Sequence, residues 1–146
     1  MQVPRRRTTY HLLGLAALLA GTGCPFDTGP GWTWVVQPGL IAVDGLDPVS
    51  GPDTVQRGAS FTLVVKTFGS SSCTRPAGAD VAVSGLTATV IPMDSVVTGD
   101  AICTADLRSF PHNATLVFGQ PGEATLIVVG RGAKGDTSIT YPIVVR

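Results

Sequence analysis

Charged residues are scarce in this chain of 146 residues. They make up 14% of the sequence, and glutamate occurs once, at Glu123. After a run of three arginines at residues 5–7 there is no basic cluster, and residues 24–146 carry ten acidic against seven basic side chains, a net charge of −3. Nucleic-acid binding depends on clustered Lys and Arg side chains that neutralise phosphates. The composition therefore argues against a nucleic-acid partner.

The motifs that carry catalysis or nucleotide binding are also missing. The sequence has no G-x-S-x-G nucleophile elbow, no C-x-x-C pair and no G-x-x-x-x-G-K phosphate loop. His112 is the one histidine after the N-terminal segment, and the neighbouring Pro111 favours an exposed turn position. Asp44, Asp47 and Asp53 lie close in sequence, but their spacing fits no EF-hand and Asp is common in turns. We therefore predict no enzymatic activity, cofactor, metal site or small-molecule substrate.

The N-terminal apolar stretch, residues 12–20, is nine residues long, whereas a membrane-spanning helix needs ~20. Basic residues precede it and small residues follow it, which is the pattern of a secretory signal. The segment LLAGTGC, which ends at Cys24, resembles the lipobox of bacterial lipoproteins, although Gly21 stands where an aliphatic residue is usual. The resemblance implies a helical signal peptide over residues 1–23 and a lipid on Cys24.

The lipobox resemblance also implies where the protein works. It implies export, with a lipid anchor in the cell envelope and another envelope protein as a second partner besides the membrane. Pro25 follows the cysteine, which in Gram-negative lipoproteins implies an outer-membrane or periplasm-facing location. An ordinary signal peptide, cut near residues 21–23, is the alternative and would leave a free thiol on Cys24.

If Cys24 carries lipid, two cysteines remain, Cys73 and Cys103. An exported protein meets an oxidising compartment, where an even pair of cysteines favours a disulfide. Such a bond would close a loop of about 30 residues, which the chain-entropy model values at ~3.6 kcal/mol. Two cysteines and one downstream histidine do not complete a four-ligand zinc site. We therefore predict a Cys73–Cys103 disulfide.

Residues 39–146 alternate apolar and polar side chains in short segments separated by Gly and Pro, as half-buried antiparallel strands do. The predicted strands are LIAVDGL, SFTLVVKTF, ADVAVSG, LTATVIP, ATLVFG, EATLIVVG and SITYPIVV. Pro142 lacks a ladder donor and predicts an edge or a bulge in the last strand. Residues 24–38 are rich in Pro and Gly and predict a tether. We expect Trp32 and Trp34 to pack onto the domain; contact with the bilayer interface or with a partner is the alternative.

The segments PDTVQRGASFTLVVKTFG and FGQPGEATLIVVGRGAKGDTSITYPIVV resemble the early strands and the final hairpin of bacterial immunoglobulin-like domains. The resemblance covers residues 39–146 and implies an all-β fold, a single antiparallel immunoglobulin-like sandwich of about seven strands. A different sandwich topology or a small closed sheet is the alternative. The implied function is a non-catalytic structural or protein-binding module. A secreted immunoglobulin-like peptidase inhibitor is the alternative function, although the N-P-T-T-G loop motif of such inhibitors is missing.

A long polar loop, SSSCTRPAGAD at residues 70–80, is the best candidate for a recognition surface. Binding residues concentrate on loops that a rigid scaffold holds in place, and Cys73 would fix this loop. The alternative is a surface loop that has no role in binding. The candidate binding residues are Ser70, Ser71, Ser72, Thr74 and Arg75.

Overall fold

A computed structural model describes residues 31–146, so the predicted signal peptide, Cys24 and the first part of the tether lie outside the described residues. The strands are β1 Trp32–Pro38, β2 Leu40–Ala42, β3 Val49–Ser50, β4 Thr54–Val55, β5 Ser60–Gly69, β6 Thr74–Ser84, β7 Thr87–Gly99, β8 Arg108–Val117, β9 Gly122–Gly132 and β10 Gly135–Val145. The all-β class is confirmed for this part of the chain. The strands number ten instead of about seven, and they form one curled, open sheet.

Two groups of strands face each other across the core. In the first group, β5 pairs antiparallel with β8 along its full length and also with β2 and β3. In the second, β7 pairs antiparallel with β6 and β1 and parallel with β9, while β9 forms a hairpin with β10. The short strand β2 pairs with both β5 and β9 and therefore joins the two groups. Strand β4 pairs only with β10 among the described strands.

The core lies between these groups and contains the apolar side chains that the alternation predicted. The fully buried members from the three best-defined strands are Leu63 and Val65 of β5, Leu116 of β8, and Leu126 and Val128 of β9. Each such side chain contributes ~1.5–3 kcal/mol by leaving water. The described residues contain no helix long and apolar enough to cross a bilayer.

The paired structure begins earlier than the sequence predicts. Strand β1 covers residues that the composition assigns to the tether, and it pairs with β7 from Trp32↔Gly99 to Pro38↔Met93. Its sequence, WTWVVQP, is rich in aromatic and β-branched residues that suit a pleated surface, and this outweighs the Pro and Gly around it. Pro142 lies where β10 pairs only with β9, so the predicted edge position is confirmed.

Candidate functional site: a buried polar cluster and a tryptophan groove

Three polar side chains meet inside the protein, and we call Thr67, Asp94 and His112 the polar cluster. They come from β5, β7 and β8, and they are respectively 0%, 1% and 3% exposed. Each one continues the inward-facing alternation of its own strand at a position where an apolar residue would be expected. Since β7 pairs with neither β5 nor β8, Asp94 reaches its partners across the interior.

The polar cluster is joined by hydrogen bonds of ordinary length. Asp94 Oδ1 lies 3.0 Å from His112 Nε2 and accepts a hydrogen bond from Thr67 Oγ1 at 3.0 Å. The Thr67 hydroxyl is also 3.0 Å from His112 Nε2. On the other side of the ring, His112 Nδ1 lies 2.8 Å from the carbonyl oxygen of Gly78, so Nδ1 must carry a proton and donate it. The cluster thus links β5, β7 and β8 to β6.

The geometry of the polar cluster is not that of a nucleophilic relay. In a Ser-His-Asp arrangement the carboxylate holds one ring nitrogen while the hydroxyl lies at the other. Here the Asp94 carboxylate and the Thr67 hydroxyl both lie at Nε2, and a backbone carbonyl holds Nδ1. The side chains of Asp94 and His112 are each 1% exposed, so no substrate reaches them. The arrangement acts as a cross-link between strands.

Gly39 passes directly over the polar cluster. A Cβ atom there would lie 2.2 Å from Thr67 Cγ2 and 2.6 Å from Asp94 Oδ2, so only glycine fits between β1 and β2. Asp94 Oδ2 is buried and has no hydrogen-bond partner among the described residues. An unpartnered buried oxygen of this kind costs stability. Gly39 thus allows the chain to pass close to the polar cluster on its way from β1, which pairs with β7, to β2, which pairs with β5.

The prediction that His112 is an exposed turn residue is wrong. Pro111 does not end the strand, because its side chain lies on the exposed face and it pairs with Lys66 inside the β5–β8 ladder. His112 lies two residues before Ala114 and so shares the inward face of β8. The same two-residue spacing from Val65 and from Pro92 places Thr67 and Asp94 inside. The signal was present in the sequence as polar residues continuing an apolar alternation.

The predicted disulfide is present. The sulfurs of Cys73 and Cys103 are bonded at 2.02 Å, with Cα atoms 5.6 Å apart and a sequence separation of 30. The bond lies at one end of the sheet, where it holds the segment before β6 against the segment that connects β7 to β8. It therefore braces the loop that contains the candidate binding residues.

Three of those candidates, Ser70, Ser71 and Ser72, form hydrogen bonds within the protein. The hydroxyl of Ser70 is 2.8 Å from Thr104 Oγ1, and Ser72 Oγ accepts a hydrogen bond from the Thr104 N–H at 2.9 Å. The N–H of Ser71 donates to Asp106 Oδ1 at 3.0 Å. Hydrogen bonds from the Thr104 hydroxyl and from Ser71 hold the pKa of Asp106 well below its ordinary value of 3.8. These serines serve mainly to fasten one loop to another.

The other two candidates differ from the serines and from each other. Thr74 is 6% exposed, so it cannot meet a partner. Arg75 is exposed, and its guanidinium carbon lies 4.2 Å from the centre of the Trp34 ring. That distance is typical of a cation–π contact. Of the predicted recognition residues, Arg75 and Ser72 line an open apolar surface.

This open surface is a groove of about 470 Å³, which we call the tryptophan groove. The Trp32 and Trp34 rings meet edge to face, with centroids 6.4 Å apart. The remaining residues that line it are Ser72, Cys73, Arg75, Val97, Asp100, Ala101 and Ile102. Trp32 is 41% exposed and Trp34 is half-buried, so the expected packing of both tryptophans onto the domain is only partial. Ile102, beside them in the groove, is 99% exposed.

Two of the aspartates between β2 and β4 form hydrogen bonds within the protein. Asp47 Oδ1 accepts a hydrogen bond from the Val49 N–H at 3.0 Å, as turn aspartates commonly do. Asp53 Oδ1 accepts one from the Tyr141 hydroxyl at 2.8 Å, and this bond contributes to raising the pKa of Tyr141. Within residues 31–146 no three metal-binding side chains come together.

Sequence reasoning predicted the disulfide, which the structure contains, but missed the polar cluster and the tryptophan groove. Ile102 follows the two tryptophans by about seventy residues in the chain. Only the pairing of β1 with the end of β7 brings it close to Trp32 and Trp34. Comparison with protein-family models, curated proteins and solved structures finds no match to this chain. The functional argument therefore rests on the residues themselves.

Proposed function

We propose that this chain is a lipid-anchored, non-catalytic protein of the bacterial cell envelope, with a β domain that serves as a structural or protein-binding module. The lipobox-type segment ending at Cys24 carries the proposal, since it explains the arginines, the short apolar stretch and the small residues together. Anchoring through several acyl chains is far stronger than through one, because each buried methylene adds ~0.8 kcal/mol.

The disulfide supports export. Cys73 and Cys103 are joined in the folded domain, and such bonds persist in oxidising compartments and are rare in the cytosol. In the folded domain the bond closes a loop at one end of the sheet. In the unfolded chain it would restrict the accessible conformations and so favour folding. A braced domain of this kind suits the cell envelope.

The proposed module is of the immunoglobulin-like type. Two facing groups of strands with a shared apolar core support this finer assignment, as does the final antiparallel β9–β10 hairpin. The additional strand β1 and the short strands β2 to β4 would then be elaborations at the margins of the sandwich. Immunoglobulin-like domains carry many unrelated activities, so the domain type alone identifies no partner.

Metabolic labelling with an alkyne fatty acid in a Gram-negative host tests the anchor. The full chain should take up the label, and Cys24→Ser should take up none. Thr28→Ser, four residues further along and outside the lipobox, is the matched control and should label like the parent chain. Gly21→Leu restores the usual aliphatic residue and should label at least as strongly. An unlabelled parent chain that is nevertheless exported would contradict the proposal.

A further inference from the structure

We propose that the tryptophan groove lies against the bilayer that holds the lipid anchor, so that the domain rests on the membrane by a second contact. This inference rests on the proposed function, since it requires lipid on Cys24. The surface involved is the outer face of β1 with the adjoining end of β7. Its principal residues are Trp32, Trp34, Arg75 and Ile102.

Three apolar side chains of β1 form a stripe along one face of the strand, with exposed residues on either side of the half-buried Trp34. Trp32, Trp34 and Val36 alternate along the strand and so share one face. Opposite them in the ladder lie Gly99, Val97 and Ser95, and the side chains of Val97 and Ser95 point away from the core because Asp94 points into it. Val36 is 58% exposed and Trp32 is 41% exposed. Exposed apolar side chains grouped on one face in this way mark an interaction surface.

The position of the chain's anchor identifies the bilayer as the occupant. Cys24 precedes Trp32 by eight residues, and eight residues span at most about 28 Å when fully extended. Gly31 is held at the groove itself, because its carbonyl oxygen accepts a hydrogen bond from the Asp100 N–H at 3.0 Å. The chain therefore enters the domain at the groove, and a lipid on Cys24 would keep this end of the domain close to the membrane.

The chemistry of the groove suits the boundary between headgroups and acyl chains. Tryptophan is enriched at that depth because its ring is apolar and its N–H is polar. Arg75 lies over Trp34, and its long apolar stem allows the guanidinium to stay among the phosphates while the ring goes deeper. Ile102, which is 99% exposed, would insert beside them.

The charges of the domain explain why the contact would need the anchor. Arg75 and Asp100 are the charged residues of the groove and cancel each other, and residues 24–146 carry a net charge of −3. Long-range attraction to anionic lipids is therefore absent. A tether converts the contact into an intramolecular one with a high effective concentration, so a small apolar surface is sufficient.

Tryptophan fluorescence tests this inference directly, because Trp32 and Trp34 are the only two tryptophans in the chain. The lipidated full chain would be reconstituted into phosphatidylcholine vesicles, either unmodified or brominated on the upper part of the acyl chains. We expect the bromines to reduce the emission about twofold, since interfacial side chains lie about 5–10 Å deep. Unlipidated Cys24→Ser, added to the same vesicles, should keep its full emission.

Two matched variants show whether the groove makes the contact. Ile102→Ser should reduce the quenching by about half, because it removes an apolar side chain from the inserted surface. Leu46→Ser changes another exposed aliphatic residue, one that does not line the groove, and should leave the quenching unchanged.

The outcomes separate this inference from the proposed function. Intact mass of the same sample establishes whether Cys24 carries lipid. Equal emission from lipidated protein in brominated and unmodified vesicles would overturn the bilayer contact while leaving the anchor in place. Emission that changes with protein density instead of bromine would assign the groove to a second copy of the chain and overturn the inference as well. Quenching of Cys24→Ser equal to that of the lipidated chain would overturn the dependence on the anchor.

Discussion

At the scale of single residues, Asp94 and His112 connect β7 and β8, two strands that do not pair with each other. Their side chains are almost completely buried and lie 3.0 Å apart, and His112 also holds the Gly78 carbonyl. The attraction within a buried pair is offset by the hydration that both groups lose on folding. Removing one partner is different, because the other is then left buried without its charge or hydrogen-bond complement.

Asp94→Ala should therefore reduce the free energy of unfolding by about 3–5 kcal/mol, the usual cost of breaking a buried pair. Urea denaturation followed by circular dichroism measures this value. Asp136→Ala provides the control, because Asp136 is exposed in β10 and should change the stability by less than about 0.5 kcal/mol. Equal stability of the two variants would mean that the polar cluster does not hold the strands together.

Gly39 provides a second test at this scale. Gly39→Ala would force Thr67 and Asp94 apart, and overpacking of this kind costs about 1–3 kcal/mol. Gly119→Ala is the matched control, because a Cβ there has nothing within 4 Å. Thermal unfolding of the two variants should show a clear loss only for Gly39→Ala. If both variants unfold at the same temperature, the chain does not pass as close to the cluster as the structure indicates.

At the scale of elements, the strands differ in how well the sequence predicts them. β5, β9 and β10 are ten or eleven residues long, and each has apolar residues at three or more successive alternate positions, so their inward faces could be assigned directly. β3 and β4 are two residues long and have no period of their own, because their partners define them. β1 falls within the predicted tether because Pro and Gly surround its apolar residues.

β6 shows how an element can mislead. Its apolar residues Val81 and Val83 predict an inward face, yet both are at least 40% exposed. The strand pairs only with β7 among the described strands, and its register shifts between Pro76 and Ala79. Gly78 lies within this irregularity with a φ of 103°, which places its carbonyl at the His112 ring. No local pattern in the sequence specifies this contact.

The hydrogen bonds of Asp106, which join the two loops beside the disulfide, are expected to depend on pH. Asp106 has a lowered pKa, chiefly because the Thr104 hydroxyl and the Ser71 N–H donate to its carboxylate. A carboxyl group with a lowered pKa stabilises the folded state above its ordinary value of 3.8, and that contribution is lost as the pH falls toward the folded value. Acid should therefore loosen this loop contact, but only at a pH well below 3.8.

Thr104→Ala should move the pKa of Asp106 upward, toward the ordinary value, because it removes the largest of the stabilising hydrogen bonds. Carboxyl carbon NMR across an acid titration measures the midpoint in the parent and the variant. Thr115→Ala, on an exposed position of β8, should leave the midpoint where it is. A midpoint near the ordinary value in the parent chain would show that the hydrogen bonds to Asp106 are not formed.

At the scale of the whole molecule, the disulfide is the feature that sequence arithmetic predicted and the structure contains. It closes a 30-residue loop, and the chain-entropy model gives about 3.6 kcal/mol for a loop of that length. Changing both Cys73 and Cys103 to Ser should lower the free energy of unfolding by roughly this amount. Cys24→Ser should not change it. An unaltered stability in the double variant would contradict a role for the bond in holding the domain together.

Long-range assembly explains most of what sequence reasoning missed. Composition and alternation establish the all-β class, because a strand's inward face is a local property. The tryptophan groove and the polar cluster depend on which strands become neighbours, and Trp34 lies opposite Val97 only through the β1–β7 pairing. The side chains of these two sites are distant in sequence and come into contact only when the strands pair and face each other.

The most direct test of the central claim is the intact mass of the protein extracted from membranes of a host that exports it. The mass would be measured with and without reduction and alkylation of thiols. A lipid-anchored, disulfide-braced domain predicts a chain that begins at Cys24 and carries acyl chains, with Cys73 and Cys103 alkylated only after reduction. A soluble chain with an unmodified, alkylatable Cys24 would contradict the anchor and with it the placement of the tryptophan groove on a membrane.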